Sequence, residues 1–234
     1  MQDLPRPANL PQGSTPPHVK ICGLTRLEDA RLAIDLGATF VGLILTAKSP
    51  RRIAPAEAAE LLIELRRSHG DRVRAIGVYT DEAPDAIARE RELLRLDAVQ
   101  VHGDFEAVAS FLPRAAILPA IGIRDAADGK RLVSLHAGYA AIVADAQTEG
   151  RSGGTGKTFD HRHVQSALAR RRVLLAGGIT PDNIEDVVGR LRGGPVPYGF
   201  DLSSGVEESP GVKSHALLRA FFAAYRHAFL PAAP

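Results

Sequence analysis

The chain has 234 residues, 45% of them hydrophobic and 24% charged, with a formal net charge of +2; that length holds two small domains or one α/β barrel of roughly 200–250 residues. The balanced charge carries no basic block suited to nucleic acid or an anionic membrane, and no apolar run approaches the roughly 18 residues of a membrane span. The one cysteine excludes an intramolecular disulfide and a cysteine-based metal cage.

Residues 1–17 are rich in Pro, Gln and Asn and lack the basic-then-apolar order of a signal peptide. They read as a flexible N-terminal extension ahead of a domain over 18–230, with the cytoplasm as the expected compartment. From residue 18 onward, short apolar runs rich in β-branched residues alternate with longer amphipathic stretches. The runs are Val19–Cys22, Phe40–Leu45, Val73–Tyr79, Ala98–Val101, Ala116–Ile121, Tyr139–Asp145, Val173–Ala176 and Tyr198–Leu202. Helix-like segments between them include Leu27–Leu36, Ala56–Arg67, a weaker one near Asp125–Leu135, and Ile184–Leu191. Thr25 precedes Glu28 at the spacing of a capping box, and Pro55 and Pro181 suit a first helical turn.

Continuous apolar strands are buried on both faces, as in parallel sheets. Eight strand–helix units predict a single parallel (β/α)8 barrel, a TIM barrel, over an open flavodoxin-like or Rossmann-like sheet. No G-x-G-x-x-G follows the first strand, which weakens the open-sheet alternative.

Catalytic groups of such a barrel sit at the C-terminal ends of its strands. Those ends are unusually polar or glycine-rich here. Cys22 closes the first strand, ahead of Gly23. A lone cysteine is most often a small buried hydrophobe, but at a barrel mouth a thiolate can take a proton from carbon. Asp145 ends the sixth strand, where it can cap a turn or serve as an acid. Gly177 and Gly178 after the seventh strand, and Ser203, Ser204 and Gly205 after the eighth, fall where many barrels hold phosphate. The segment with Gly153, Gly154 and Gly156 reads as a lid or a third phosphate contact; its spacing is not that of a P-loop, since Arg151 stands where a glycine is needed. Arg51 follows the second strand, where it is either half of a solvated charge pair or a clamp for a carboxylate. His102 and Asp201, at the ends of strands four and eight, are further active-site candidates.

Six segments, in order and at similar spacing, resemble the phosphoribosylanthranilate isomerase family of tryptophan biosynthesis. They are Lys20-Ile21-Cys22-Gly23-Leu24-Thr25, Lys48-Ser49-Pro50-Arg51, Gln100-Val101-His102-Gly103, Gly153 to Asp160, Ala176 to Asn183, and Asp201 to Glu207. The resemblance covers residues 18 to 228. It implies a (β/α)8 barrel that converts N-(5-phosphoribosyl)anthranilate to 1-(2-carboxyphenylamino)-1-deoxyribulose 5-phosphate by an Amadori rearrangement. It also implies Cys22 as general base, Asp145 as general acid, and Arg51 on the substrate carboxylate. The glycine and serine loops would hold the phosphate. Proton transfers suffice for that chemistry, so neither metal nor organic cofactor is expected. The expected partner is the small phosphorylated substrate, and the expected state is monomer or homodimer. Two departures stand out: Leu45-Thr46-Ala47 precedes the Lys-Ser-Pro piece where aromatic or proline residues are usual, and His161 follows Phe159-Asp160 where tryptophan is usual. Other readings are a related phosphosugar barrel, such as the histidine-pathway isomerase or indole-glycerol phosphate synthase, and a non-catalytic phosphate-binding barrel.

Overall fold

A computed structural model describes residues 16–146 and 161–229. Eight parallel strands close into a barrel in sequence order, each neighbour hydrogen-bonded to the next and β8 to β1. They are β1 (His18–Cys22), β2 (Phe40–Ile44), β3 (Ala75–Tyr79), β4 (Ala98–Val101), β5 (Ile117–Ile123), β6 (Ile142–Ala146), β7 (Val173–Ala176) and β8 (Gly199–Leu202). Around them lie α1 (Leu27–Leu36), α2 (Pro55–His69), α3 (Pro84–Leu93), α4 (Phe105–Val108), α5 (Ala126–Ser134), α6 (Gln165–Leu168), α7 (Ile184–Leu191) and α8 (His215–Phe229). The closed parallel barrel is the architecture that the alternating apolar runs predict.

Side chains alternate across each strand, and the alternation splits the core in two. One set, including Val19, Ile21, Val41, Leu43, Val99, Val101, Phe200 and Leu202, packs outward against the helices. The other, Phe40, Ile76, Ala98, Leu118, Val143, Leu174 and Tyr198 among them, packs inside the barrel. On α8, Leu218, Phe221, Phe222 and Tyr225 are buried; burying each such side chain contributes roughly 1.5–3 kcal/mol.

Local chemistry follows expectation in some places and departs from it in others. Pro55 opens α2, and the Ala54 amide donates to Glu57 Oε2 at 3.1 Å, one half of a capping box. The helix after β5 is real: the Asp125 carboxylate caps it by accepting from the amides of Ala127 and Asp128. Thr25 is not a cap. Arg26 holds the N-cap position of α1, and the Thr25 hydroxyl donates across the fold to the Gly211 carbonyl at 2.5 Å. Pro181 lies in the turn before α7, whose N-cap is Asn183. The sixth strand begins at Ile142, not Tyr139, because the Tyr139 ring packs edge-on against Phe105 and its hydroxyl donates to Glu106. After β8 the chain adds a short antiparallel pair, β9 (Glu207–Ser209) and β10 (Val212–Lys213), that the sequence reading did not include.

Candidate active site

Above the apolar interior, the inward-facing positions turn polar at the C-terminal ends of the strands. The register builds this layer. Asp145 pairs with Ala176, Ala176 with Asp201, and Asp201 with Lys20, so these residues form one row around the wall. Cys22 lies two residues beyond Lys20 and pairs with Gly42 of β2. Gln100 of β4 completes the buried polar set, and its amide lies 2.9 Å from the His102 ring at the exposed rim.

Charge is concentrated in this layer. Lys20 Nζ donates to Asp201 Oδ2 at 2.9 Å, and both side chains are buried. Burial opposes the Lys20 charge, but the Asp201 carboxylate and the Cys22 sulfur outweigh it and hold the ammonium above its ordinary range. Burial pushes the Cys22 thiol up, with Lys20 pulling against it. Asp145 is half-buried. Burial first, and the Asp201 carboxylate second, push its pKa up to about 6, again with Lys20 opposing. A carboxyl raised from its ordinary range toward neutral pH suits a general acid.

Two glycine loops adjoin this layer. Gly177 and Gly178 adopt φ of 87° and 67°, a left-handed conformation that side chains other than glycine rarely adopt. A Cβ on Gly177 would sit 2.8 Å from Asp145 Oδ1, and one on Gly205 would sit 2.0 Å from the Ile179 carbonyl oxygen. The loop after β8 therefore rests on the loop after β7 backbone to backbone. Asn183 stiffens the latter: it accepts from the Thr180 amide at 2.9 Å and donates to the Gly178 carbonyl at 2.7 Å. Ser203 Oγ is buried without a partner, and Ser204 begins a single 3₁₀ turn.

Arg51 lies against Gly23, and its Nε donates to both carboxylate oxygens of Glu207, at 3.1 and 2.9 Å. Glu207 is nearly buried and also accepts from Lys213 Nζ at 2.8 Å and from the Gly211 amide. The structure thus brings together Cys22, Asp145, Asp201, His102, Gly177, Gly178, Ser203, Ser204, Gly205 and Arg51 at one end of the barrel. Gly154 and Gly156 lie outside the described residues. The sequence reading did not single out Lys20, Gly42, Gln100, Glu207 or Lys213 as site residues. Lys20 had a legible signal, a charge two residues from Cys22 in an otherwise apolar strand and so on the same face. Among the described residues no group of three or more His, Cys, Asp or Glu is arranged to hold a metal ion, and no helix is long and apolar enough to cross a membrane.

The chain is similar to proteins whose names agree with this layout. The model of the N-(5'-phosphoribosyl)anthranilate (PRA) isomerase family matches residues 19–224. A relative of that name from Geobacter sp. (strain M21) is 37% identical over 207 residues, covering 88% of this chain and 96% of its own. The crystal structure of phosphoribosyl anthranilate isomerase from Thermus thermophilus is 38% identical with a TM-score of 0.72, covering 88% of this chain and 97% of that one. Another structure of the enzyme, in complex with reduced 1-(o-carboxyphenylamino)-1-deoxyribulose 5-phosphate, is 30% identical with a TM-score of 0.72, covering 91% and 98%. With a family match across the barrel and relatives above 30% identity over nearly their whole length, the chain belongs to the N-(5'-phosphoribosyl)anthranilate isomerase family.

Proposed function

We propose that Cys22 and Asp145 are the base and acid with which this isomerase converts N-(5-phosphoribosyl)anthranilate to 1-(2-carboxyphenylamino)-1-deoxyribulose 5-phosphate, in tryptophan biosynthesis in the cytoplasm. Asp145 donates its proton to the furanose ring oxygen. The C1–O bond breaks as the anthranilate nitrogen forms an imine with C1. The Cys22 thiolate then removes the C2 proton, and the bonding electrons move toward the imine to give an enolamine. Transfer of a proton from the C2 hydroxyl to C1 leaves the ketone. Every step is a proton transfer or a bond shift within the substrate, so the chemistry calls for no metal or organic cofactor.

The observation that carries this reading is the single polar layer at the top of an apolar barrel. It holds one thiol beside an ammonium and one carboxyl that stays protonated to about pH 6. An acid and a base of separated character on different strands can address opposite sides of one bound sugar. Arg51, through the part of its guanidinium not spent on Glu207, is proposed to hold the anthranilate carboxylate. The backbone of Gly177, Gly178, Ser203, Ser204 and Gly205 is proposed to hold the phosphate, as loops seven and eight do in many barrels. The fluorescence loss of freshly made phosphoribosylanthranilate tests the reading. Cys22→Ser should cut kcat by about 10² or more while KM changes far less, since a base acts mainly in the transition state. Normal turnover by that variant overturns the base assignment, and inactivity of the folded wild type favours a non-catalytic phosphate-binding barrel.

A further inference from the structure

We propose that Lys20, anchored by Asp201, is the positioning residue of the acid–base pair: its ammonium stabilises the Cys22 thiolate while the Asp201 carboxylate keeps the proton on Asp145. The inference rests on the Cys22 and Asp145 assignment and adds the device that lets both work in one cavity.

Stability alone does not account for the pair. A buried ion pair is often no better for stability than well-packed apolar side chains, because desolvation offsets the attraction. This pair is also incompletely satisfied: Lys20 engages Asp201 Oδ2 at 2.9 Å, while Asp201 Oδ1 is buried with no partner. A half-satisfied buried network is costly as a structural element. Its location explains it better. Asp201 sits in the same register row as both Lys20 and Asp145, and Lys20 shares a strand face with Cys22.

Gly42 is the second geometric sign. A Cβ there would lie 2.9 Å from Cys22 Sγ and 3.1 Å from Lys20 Cε. Only a residue without a side chain on β2 lets thiol and amine crowd together at that point of the wall. The titratable groups around them come from several elements: Cys22 from β1, His102 after β4, Asp145 from β6, Asp201 from β8 and Lys213 from β10. Among these, Lys20 and Lys213 favour the Cys22 thiolate and Asp201 opposes it. For Asp145 the Asp201 charge favours the protonated acid and Lys20 opposes it.

The two partners therefore push the thiol in opposite directions. Cys22 is the only cysteine, so thiolate absorbance in the ultraviolet, taken as a difference from the matching Cys22→Ser background, titrates it alone. Lys20→Met should move that titration to higher pH by about one unit or more. Asp201→Asn should move it to lower pH and also shift to lower pH the limb of the kcat/KM profile that follows Asp145. Equal shifts of one sign in both variants, or no shift in either, overturn the proposal. If Lys20→Met does not fold, Asp201→Asn and the double variant decide it: the double variant must titrate above Asp201→Asn. The absorbance needs no substrate, so its outcome stands apart from the catalytic assignment, which falls if Cys22→Ser turns over normally or the folded wild type is inactive.

Discussion

Replacing Asp145 with asparagine should abolish turnover and yet stabilise the protein at alkaline pH. Burial, then Asp201, raise this carboxyl from its ordinary 3.8 to about 6 in the folded chain. The folded state thus binds the proton more tightly than the unfolded state does. Below about pH 4 both states are protonated, and the residue contributes nothing to the pH dependence. Between about 4 and 6 the unfolded chain ionises first, so stability falls as pH rises, and above 6 the whole penalty stands. A rise of about two units corresponds to about 3 kcal/mol at 1.36 kcal/mol per unit. The side chain is half-buried, and screening by solvent reduces this to about 1–2 kcal/mol. For a barrel of this length that is about 2–8 °C in Tm. Thermal melts of wild type and Asp145→Asn, compared at each pH from 4 to 8, read it directly. The advantage of asparagine should grow from nothing at pH 4 to its full size by pH 7. An advantage that does not vary with pH, or a variant less stable than wild type at pH 8, would refute the claim that the fold holds an ionisable carboxyl at an electrostatic disadvantage.

Other perturbations separate the parts of the site. Gly42→Ala forces a methyl group to 2.9 Å from both the Cys22 backbone and its sulfur; overpacking of this kind costs about 1–3 kcal/mol of stability, and displacing the base should lower kcat by about tenfold or more. A kcat within twofold of wild type would mean the thiol does not need that space. Arg51→Ala should raise KM by about 10- to 100-fold with kcat little changed, the range expected for losing a hydrogen bond to a charged group. Glu207→Gln, which frees Arg51 Nε, should give a smaller rise in the same assay, and an unchanged KM in both removes the carboxylate role. Gly205→Ala must part the two glycine loops, since its Cβ would lie 2.0 Å from the Ile179 oxygen. Inorganic phosphate should then inhibit far less well, and equal inhibition would place the phosphate elsewhere.

Much of this was legible in the sequence because the barrel repeats one physical pattern. Apolar strands buried on both faces produce continuous runs, and the polar residue that ends a run falls at the mouth. That logic finds Cys22, Asp145, Asp201 and both glycine loops without knowledge of contacts. It fails where a partner comes from far along the chain. Thr25 has the spacing of a helix cap, yet its hydroxyl finds the Gly211 carbonyl, 186 residues away. Arg51 looks free to clamp a ligand, yet Glu207, 156 residues later, already holds its Nε. Lys213 reaches Glu207 only because β9 and β10 fold back after β8. Local propensity and strand period carry no information about such meetings.

The same long-range meetings determine how the proton is shared. Burial pushes the Cys22 thiol above its ordinary range and raises Asp145 to about 6. Burial therefore works against the thiolate that the proposed base needs, while it favours the protonated form that the proposed acid needs. The competent arrangement has the proton on the carboxyl rather than on the sulfur, and burial of the thiol opposes it. Groups that stabilise the thiolate favour that arrangement, and groups that hold the proton on Asp145 favour it as well. Lys20 does the first and Asp201 the second, and each alone opposes the other's effect. Placed together they supply a local positive charge beside Cys22, the proposed base, and a local negative charge beside Asp145, the proposed acid, with little net charge added to the cavity. A bound phosphate and carboxylate would be repelled by a site that kept Asp145 protonated through acidic neighbours alone. The paired arrangement separates the proposed acid from the proposed base while adding little net charge at the barrel mouth that is proposed to take an anionic substrate.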